Sequence, residues 1–280
     1  VSLLEQLALA GLSFGRAWSA SRRPATWLPW LPYLGVSLLV LAALSWCAHP
    51  MLSWFMAPLL RTIAGEEALR YPGLYQWLPR LVAEVRFVLD AVLLPAAFGG
   101  SVLAFAAHFR GEEPDAGAHL RETCRLAAVF VLVALPAWFA EAGVHAGLAA
   151  LPGIRLASVT RALAPHAGNV VILLARAAFL YVIVHAALVQ RGPVAALAAW
   201  PGSLRDGFVP ALLTLVGLAV PLAVLDAAVA GPLGTFGDRM PEAAVAFAAI
   251  RAGLATVAGV LAAGTATLVW LAALAPREDA

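Results

Sequence analysis

Apolar residues in this chain gather into six runs, roughly 27 to 48, 87 to 109, 126 to 151, 169 to 190, 209 to 230 and 248 to 275. A helix needs about 20 such residues to cross a bilayer's hydrocarbon, and each run meets that length. None alternates with the period of two that a barrel strand requires. Lipid offers a bare backbone no hydrogen-bond partner, so the spans are helices. The pattern predicts an all-α, polytopic membrane protein of about six transmembrane helices, organised as a single transmembrane domain over residues 1–280.

Weaker patterns lie between the runs. Leu3, Leu4, Leu7, Gly11 and Phe14 share one helical stripe, which predicts an amphipathic interfacial helix within residues 1–24, lying flat on the membrane, although Leu9 and Leu12 fall off the stripe. The outer loop from 49 to 86 is too long for a simple connection. Its stretch "MLSWFMAPLLRTI" is too apolar for water and predicts an interfacial or re-entrant helix. The most charged segment, "FRGEEPDAGAHLRETCRL", predicts a turn at Pro114 and then a short helix.

Composition agrees with lipid as the main solvent: 62% of residues are hydrophobic, 12% are charged, and the mean hydropathy is +0.88. The net charge is only +2, and no basic block carries interleaved aromatics, so nucleic acid is not an expected partner. All basic residues are Arg, and the lack of Lys beside abundant Ala, Leu, Gly and Pro suggests a GC-rich bacterial genome and a bacterial inner membrane. Arg sidedness is nine against eight between the two faces. Arg22 and Arg23 abut the first span, which usually dominates orientation, so both termini are expected to be cytoplasmic. Trp27, Trp30 and Trp46 fit aromatic belts at the ends of that span. Cys47 and Cys124 form neither a disulfide framework nor a metal spacing, and are expected to pack as small apolar groups.

Charge inside the apolar runs is the main candidate chemistry, since each ion at the bilayer centre costs at least about 2.5–3.5 kcal/mol. Asp90, Glu141, Arg176, Asp226 and Arg251 come from five different spans, and counting residues from the span ends puts all five in the outer half of the bilayer. Two readings stand. In one, these are separate ion pairs and snorkelling side chains, such as Arg86 with Asp90 at i,i+4. In the other, Arg176 faces Glu141 or Asp226 in a wet cavity, with an acid left for a cation, a proton or a polar headgroup. His145 lies one turn beyond Glu141 on the same face, and Gly143 and Gly147 offer close approach to another helix. Pro136 and Pro221 precede the two acids and predict local kinks. Gly253, Gly259, Gly264, Thr256, Thr265 and Thr267 give the sixth span a surface suited to tight packing.

Familiar catalytic patterns are missing. His108 and His185 sit near the inner ends of two spans and make an axial haem pair sterically conceivable, but neither lies in a ligand motif and no cofactor is expected. Ser101 and His108 are separated by about 10 Å of one helix, too far for a nucleophile and its base, so "GGS" at 99–101 reads as a helix contact. There is no phosphate-binding Gly loop and no H-E-x-x-H. The segments "GRAWSASRRPATWLPWL" and "LAAWPGSLRDGFVPALL" share a Trp-to-Arg spacing of five residues, which suggests a pseudo-repeat of interfacial helix and hairpin.

The amphipathic lead-in, the six runs and the segment "ALVQRGPVAALAAWPGSLRDGFVPALLTLVGLAVPLAVL" resemble bacterial six-span membrane families, among them the membrane domain of some glycerophosphodiester phosphodiesterases. The resemblance implies a membrane module without hydrolase residues, since no catalytic domain of that type is present. The outline is also similar to permease subunits of ABC exporters. There, the charged loop with Glu112, Glu113, Asp115, Arg121 and Arg125 would dock a partner ATPase. The expected function is a non-enzymatic membrane subunit or accessory protein that organises a complex or handles a lipid-like or hydrophobic ligand. Its partners are the bilayer and other protein subunits. The alternative is a transporter permease served by separate ATPase chains.

Overall fold

A computed structural model describes residues 3–46, 54, 57–58, 61–62, 65–66, 73–112, 115–150, 158–189, 192–236 and 243–274. Among them there is no strand, and the fold is all-α. The helices are α1 (Leu3–Ala20), α2 (Trp30–Ser45), α3 (Gly73–Phe109), α4 (Ala116–Ala150), α5 (Ser158–Val189), α6 (Pro193–Ala198), α7 (Trp200–Phe236) and α8 (Ala243–Val269). A short 3-10 helix, Pro24–Thr26, precedes α2, and α8 ends in a π-helical turn, Trp270–Leu274.

Among the described residues, five helices carry stretches long and apolar enough to cross a membrane: Leu81–Phe109, Gly117–Leu148, Ala167–Val189, Gly207–Val224 and Ala243–Ala273. The protein is therefore a helical, membrane-embedded chain. The first predicted span appears as a shorter apolar helix, α2, of 16 residues, or about 24 Å. Two proline-bearing segments at 24 and 29 hold its start back to Trp30.

Helix boundaries depart from expectation in two places. Residues 73–86 are helical rather than loop, because Trp77, Leu81 and Val82 on this stretch pack with Leu41 and Leu44 of α2 and Val245, Ala248 and Ala249 of α8. The charged segment is likewise no separate short helix. Gly111, at φ +77°, ends α3, and Asp115 caps α4 by accepting the Gly117 N–H at 2.9 Å. From there α4 runs on without interruption, held by the buried stripe Thr123, Leu126, Phe130 and Val133. In the segment 49 to 86, expected as a loop, the described residues at 54, 57–58 and 61–62 are helical, and Arg61 pairs with Glu66 at 2.8 Å.

The helices group into two compact units. One comprises Val1–Pro29, Pro95–Leu218 and Val260–Ala280. Its centre holds Val102, Phe105, Phe130, Val133, Val182 and Val184. Glycines set how closely its helices meet. Gly99 faces the Phe130 ring, Gly100 faces Thr123 and Pro29, and Gly264 faces Phe105 and Ala17. Beside them Ser101 is fully buried and donates to the Thr26 carbonyl at 2.7 Å, which gives the "GGS" stretch its packing role.

Helix α1 presents three faces in this unit. Ala10, Ser13, Ala17 and Ala20 are buried. Leu4, Leu7, Phe14 and Trp18 form an exposed apolar stripe, with Glu5 and Arg16 on a third side. That division suits a helix bordered by protein, acyl chains and water at once. The second unit comprises Trp30–Leu94 and Ala219–Gly259. There the Trp30 ring lies against Gly259, and it meets Tyr33 edge to face at 5.7 Å.

The pseudo-repeat has no common local structure. Trp18 is exposed near the end of α1, whereas Trp200 starts α7, stacks on Phe179 at 5.1 Å and donates its indole N–H to the Ala178 carbonyl at 2.9 Å. Pro201 falls in the first turn of its helix, where proline is tolerated, so the second segment lacks the break that separates α1 from α2.

Candidate functional site

Glu141 on α4 and Arg176 on α5 meet as a two-pronged ion pair. Arg176 donates from Nε to Oε2 at 3.1 Å and from Nη2 to Oε1 and Oε2 at 2.9 and 2.7 Å. Close packing of the two helices beyond the pair, where Gly168 fits against Val144 and Leu148, fixes the register that aligns them. Along the helix axis Glu141 lies about 10 Å from the Leu148 end of its apolar stretch, and Arg176 about 13 Å from Ala167. Both charges are thus at membrane depth. The Glu141 side chain is 14% exposed and the Arg176 side chain 42% exposed, so the pair is open on the arginine side. His145, one turn on, brings Nε2 to 3.8 Å from Glu141.

Asp90 belongs to the other unit. It accepts the Tyr33 hydroxyl at 2.8 Å and lies 3.9 Å from Arg86, which itself donates from Nε to the Tyr33 oxygen at 3.2 Å. The i,i+4 pairing of Arg86 with Asp90 was foreseen; Tyr33 was not, because one phenol in an apolar run looks like packing. Tyr33 is buried and ties α2 to α3 through this carboxylate. Replacing it with Phe removes a hydrogen bond to a charged group, a loss of about 1.5–3 kcal/mol. Denaturation of the full chain in mild detergent, with and without Asp90→Asn, checks this. Equal Tyr33→Phe costs in both backgrounds would show that the two groups are not coupled.

Of the remaining cluster members, Arg251 is exposed on α8 in the same unit as Asp90. The side chain of Asp226 lies outside the described residues, so its expected place opposite Arg176 is not part of this structure. Gly143 and Gly147 face no side chain among the described residues. Pro136 and Pro221 both sit inside uninterrupted helices. In the sixth span Thr256, Thr265 and Thr267 each donate to the carbonyl four residues back, so their hydroxyls serve their own helix.

At the charged turn, Glu112 and Asp115 flank the start of α4, while Arg121 and Arg125 lie exposed on its first turns. Arg125 pairs locally with Glu122 at 2.6 Å. Glu113 lies outside the described residues. His108 packs its ring beside Phe109, and His185 lies edge to face with Trp270. Among the described residues no three His, Cys, Asp or Glu side chains cluster as a metal site. Comparison of the chain with protein-family models, with curated proteins and with solved structures finds no match in any of the three.

Proposed function

We propose that this chain is a non-catalytic subunit or accessory protein of the bacterial inner membrane that organises a membrane complex or handles a lipid-like ligand. The observation that carries this reading is the open side of the Glu141–Arg176 pair. An arginine side chain 42% exposed within an apolar span is poorly matched to acyl chains, and a polar partner or ligand lying against it lowers that cost. Helix α4 adds to the argument, because only 17% of its apolar stretch is buried within the chain. An uncovered span of this kind suits contact with another subunit. The permease alternative calls for a coupling helix distinct from the spans, whereas residues 116–125 are the first turns of α4.

Purification of the tagged full chain in mild detergent, followed by light scattering, tests the proposal. The expected mass exceeds that of one chain and falls to the single-chain value in the double variant Glu141→Gln/Arg176→Met. A single-chain mass in both preparations, with unchanged lipid content, would sink the reading.

A further inference from the structure

A second polar location lies away from the Glu141–Arg176 pair, where the ends of α3 and α5 meet the start of α4. It encloses about 230 Å³. Its floor is apolar, with Leu103, Ala107 and Leu188 from the last turns of two spans, and its rim carries Arg110, Glu112, His119 and Glu122. The floor residues fall just inside the apolar stretches that end at Phe109 and Val189, and Arg110 and Glu112 fall just beyond. The cavity is therefore at the depth where hydrocarbon gives way to water, the level of lipid headgroups.

The rim's chemistry is mixed in sign. Arg110 and Glu112 are exposed and form no ion pair with another described residue. The ring of His119 has its orientation set by the main chain. Its Nδ1 lies 2.8 Å from the Asp115 carbonyl, an acceptor only, so Nδ1 carries the proton and Nε2 of the neutral ring is left as an acceptor. Glu122 offers one oxygen to Arg125 at 2.6 Å and retains further acceptor capacity. Among the described residues, the Arg110 guanidinium thus shares the rim with two carboxylates, one of them already paired with Arg125, and an imidazole lone pair, all above an apolar floor.

We propose that this cavity binds the headgroup of a zwitterionic phospholipid bearing a primary ammonium, as in phosphatidylethanolamine. The phosphate oxygens accept from Arg110, and the ammonium donates to Glu112, Glu122 and His119 Nε2. Selection of a primary over a quaternary ammonium follows from the lining. The acceptors reward N–H donors, which a trimethylammonium lacks, and none of the described residues lining the cavity is a Phe, Tyr or Trp that would hold a quaternary group by its ring face. The inference rests on the ligand-handling part of the proposed function, and it assigns that ligand to a location separate from the charge pair.

Binding of soluble short-chain phospholipids to the purified full chain, counted by native mass spectrometry, tests it. The ethanolamine lipid is expected to saturate one site and to bind about tenfold more tightly than its choline analogue, the value of one good charge-assisted hydrogen bond. Glu112→Gln/Glu122→Gln abolishes that preference, Arg110→Gln weakens both lipids, and Ala118→Leu, which places bulk at an exposed position of the rim, removes saturable binding. Equal affinities for the two lipids, a preference for phosphatidylglycerol, or selectivity that survives the double Glu variant would each overturn the assignment. Because none of these substitutions touches Glu141 or Arg176, the mass of the complex reads the proposed function independently.

Discussion

Arg176→Met alone lowers the stability of the full chain by about 3 kcal/mol, the lower end of what breaking a buried pair costs, because the arginine side chain is partly open. The loss arises chiefly from Glu141. Its side chain is 14% exposed, and three hydrogen bonds from Arg176 are what compensate its charge. His145, at 3.8 Å, is beyond hydrogen-bond distance and replaces little of that. Adding Glu141→Gln removes the stranded charge and restores most of the stability, so the two substitutions couple strongly and favourably. Denaturant titration of the four chains in one detergent measures the coupling. If the double variant is as unstable as the sum of the single ones, the pair is not a clasp between α4 and α5.

The second large effect is steric. Gly99→Ala destabilises the unit by about 1–3 kcal/mol, the usual cost of forcing extra volume into a packed interior. The new methyl would stand 2.5 to 2.7 Å from three atoms of the Phe130 ring, and that ring is fully buried with no room to withdraw. Phe130→Ala removes all three of those ring atoms, so Gly99→Ala costs less in that background than in the parent. The same titration reads it. A Gly99→Ala chain as stable as the parent would show that the helices separate without cost and that close approach at 99–100 is not what holds them.

How far the sequence reveals all this depends on the residue. Six apolar runs suffice for the fold class, since backbone polarity in lipid leaves helices as the solution. A meeting of Arg176 with either Glu141 or Asp226 was legible for a related reason, since charges are costly in hydrocarbon and residue counts put them at similar depth, but the choice of Glu141 depends on how α4 and α5 pack. Other features depend on contacts between distant segments, which periodicity does not carry. Residues 73–86 contain Pro79, Arg80, Glu84 and Arg86 and look like a loop, yet Trp77 and Leu81 find Leu41 and Leu44 and hold the stretch helical. Tyr33 acquires its role only once α2 and α3 set it beside Asp90. The cavity rim was obscure because its four polar groups come from the end of one helix, a turn and the start of the next, and in sequence they read as one solvated charge cluster.

The small-residue face of α1 bears on how the protein is made. Ala17 rests near Gly264, and the unit that contains both draws on Val1–Pro29 and on Val260–Ala280. Of the helices described, α1 is translated ahead of α8, so Ala17 is made well before the Gly264 it rests near. Until α8 is present, Ala17 lacks this neighbour, while the exposed Leu4, Leu7, Phe14 and Trp18 stripe does not depend on it. The contact between α1 and α8 therefore closes this unit between segments more than two hundred residues apart in the chain, so it forms only after α8 has been made.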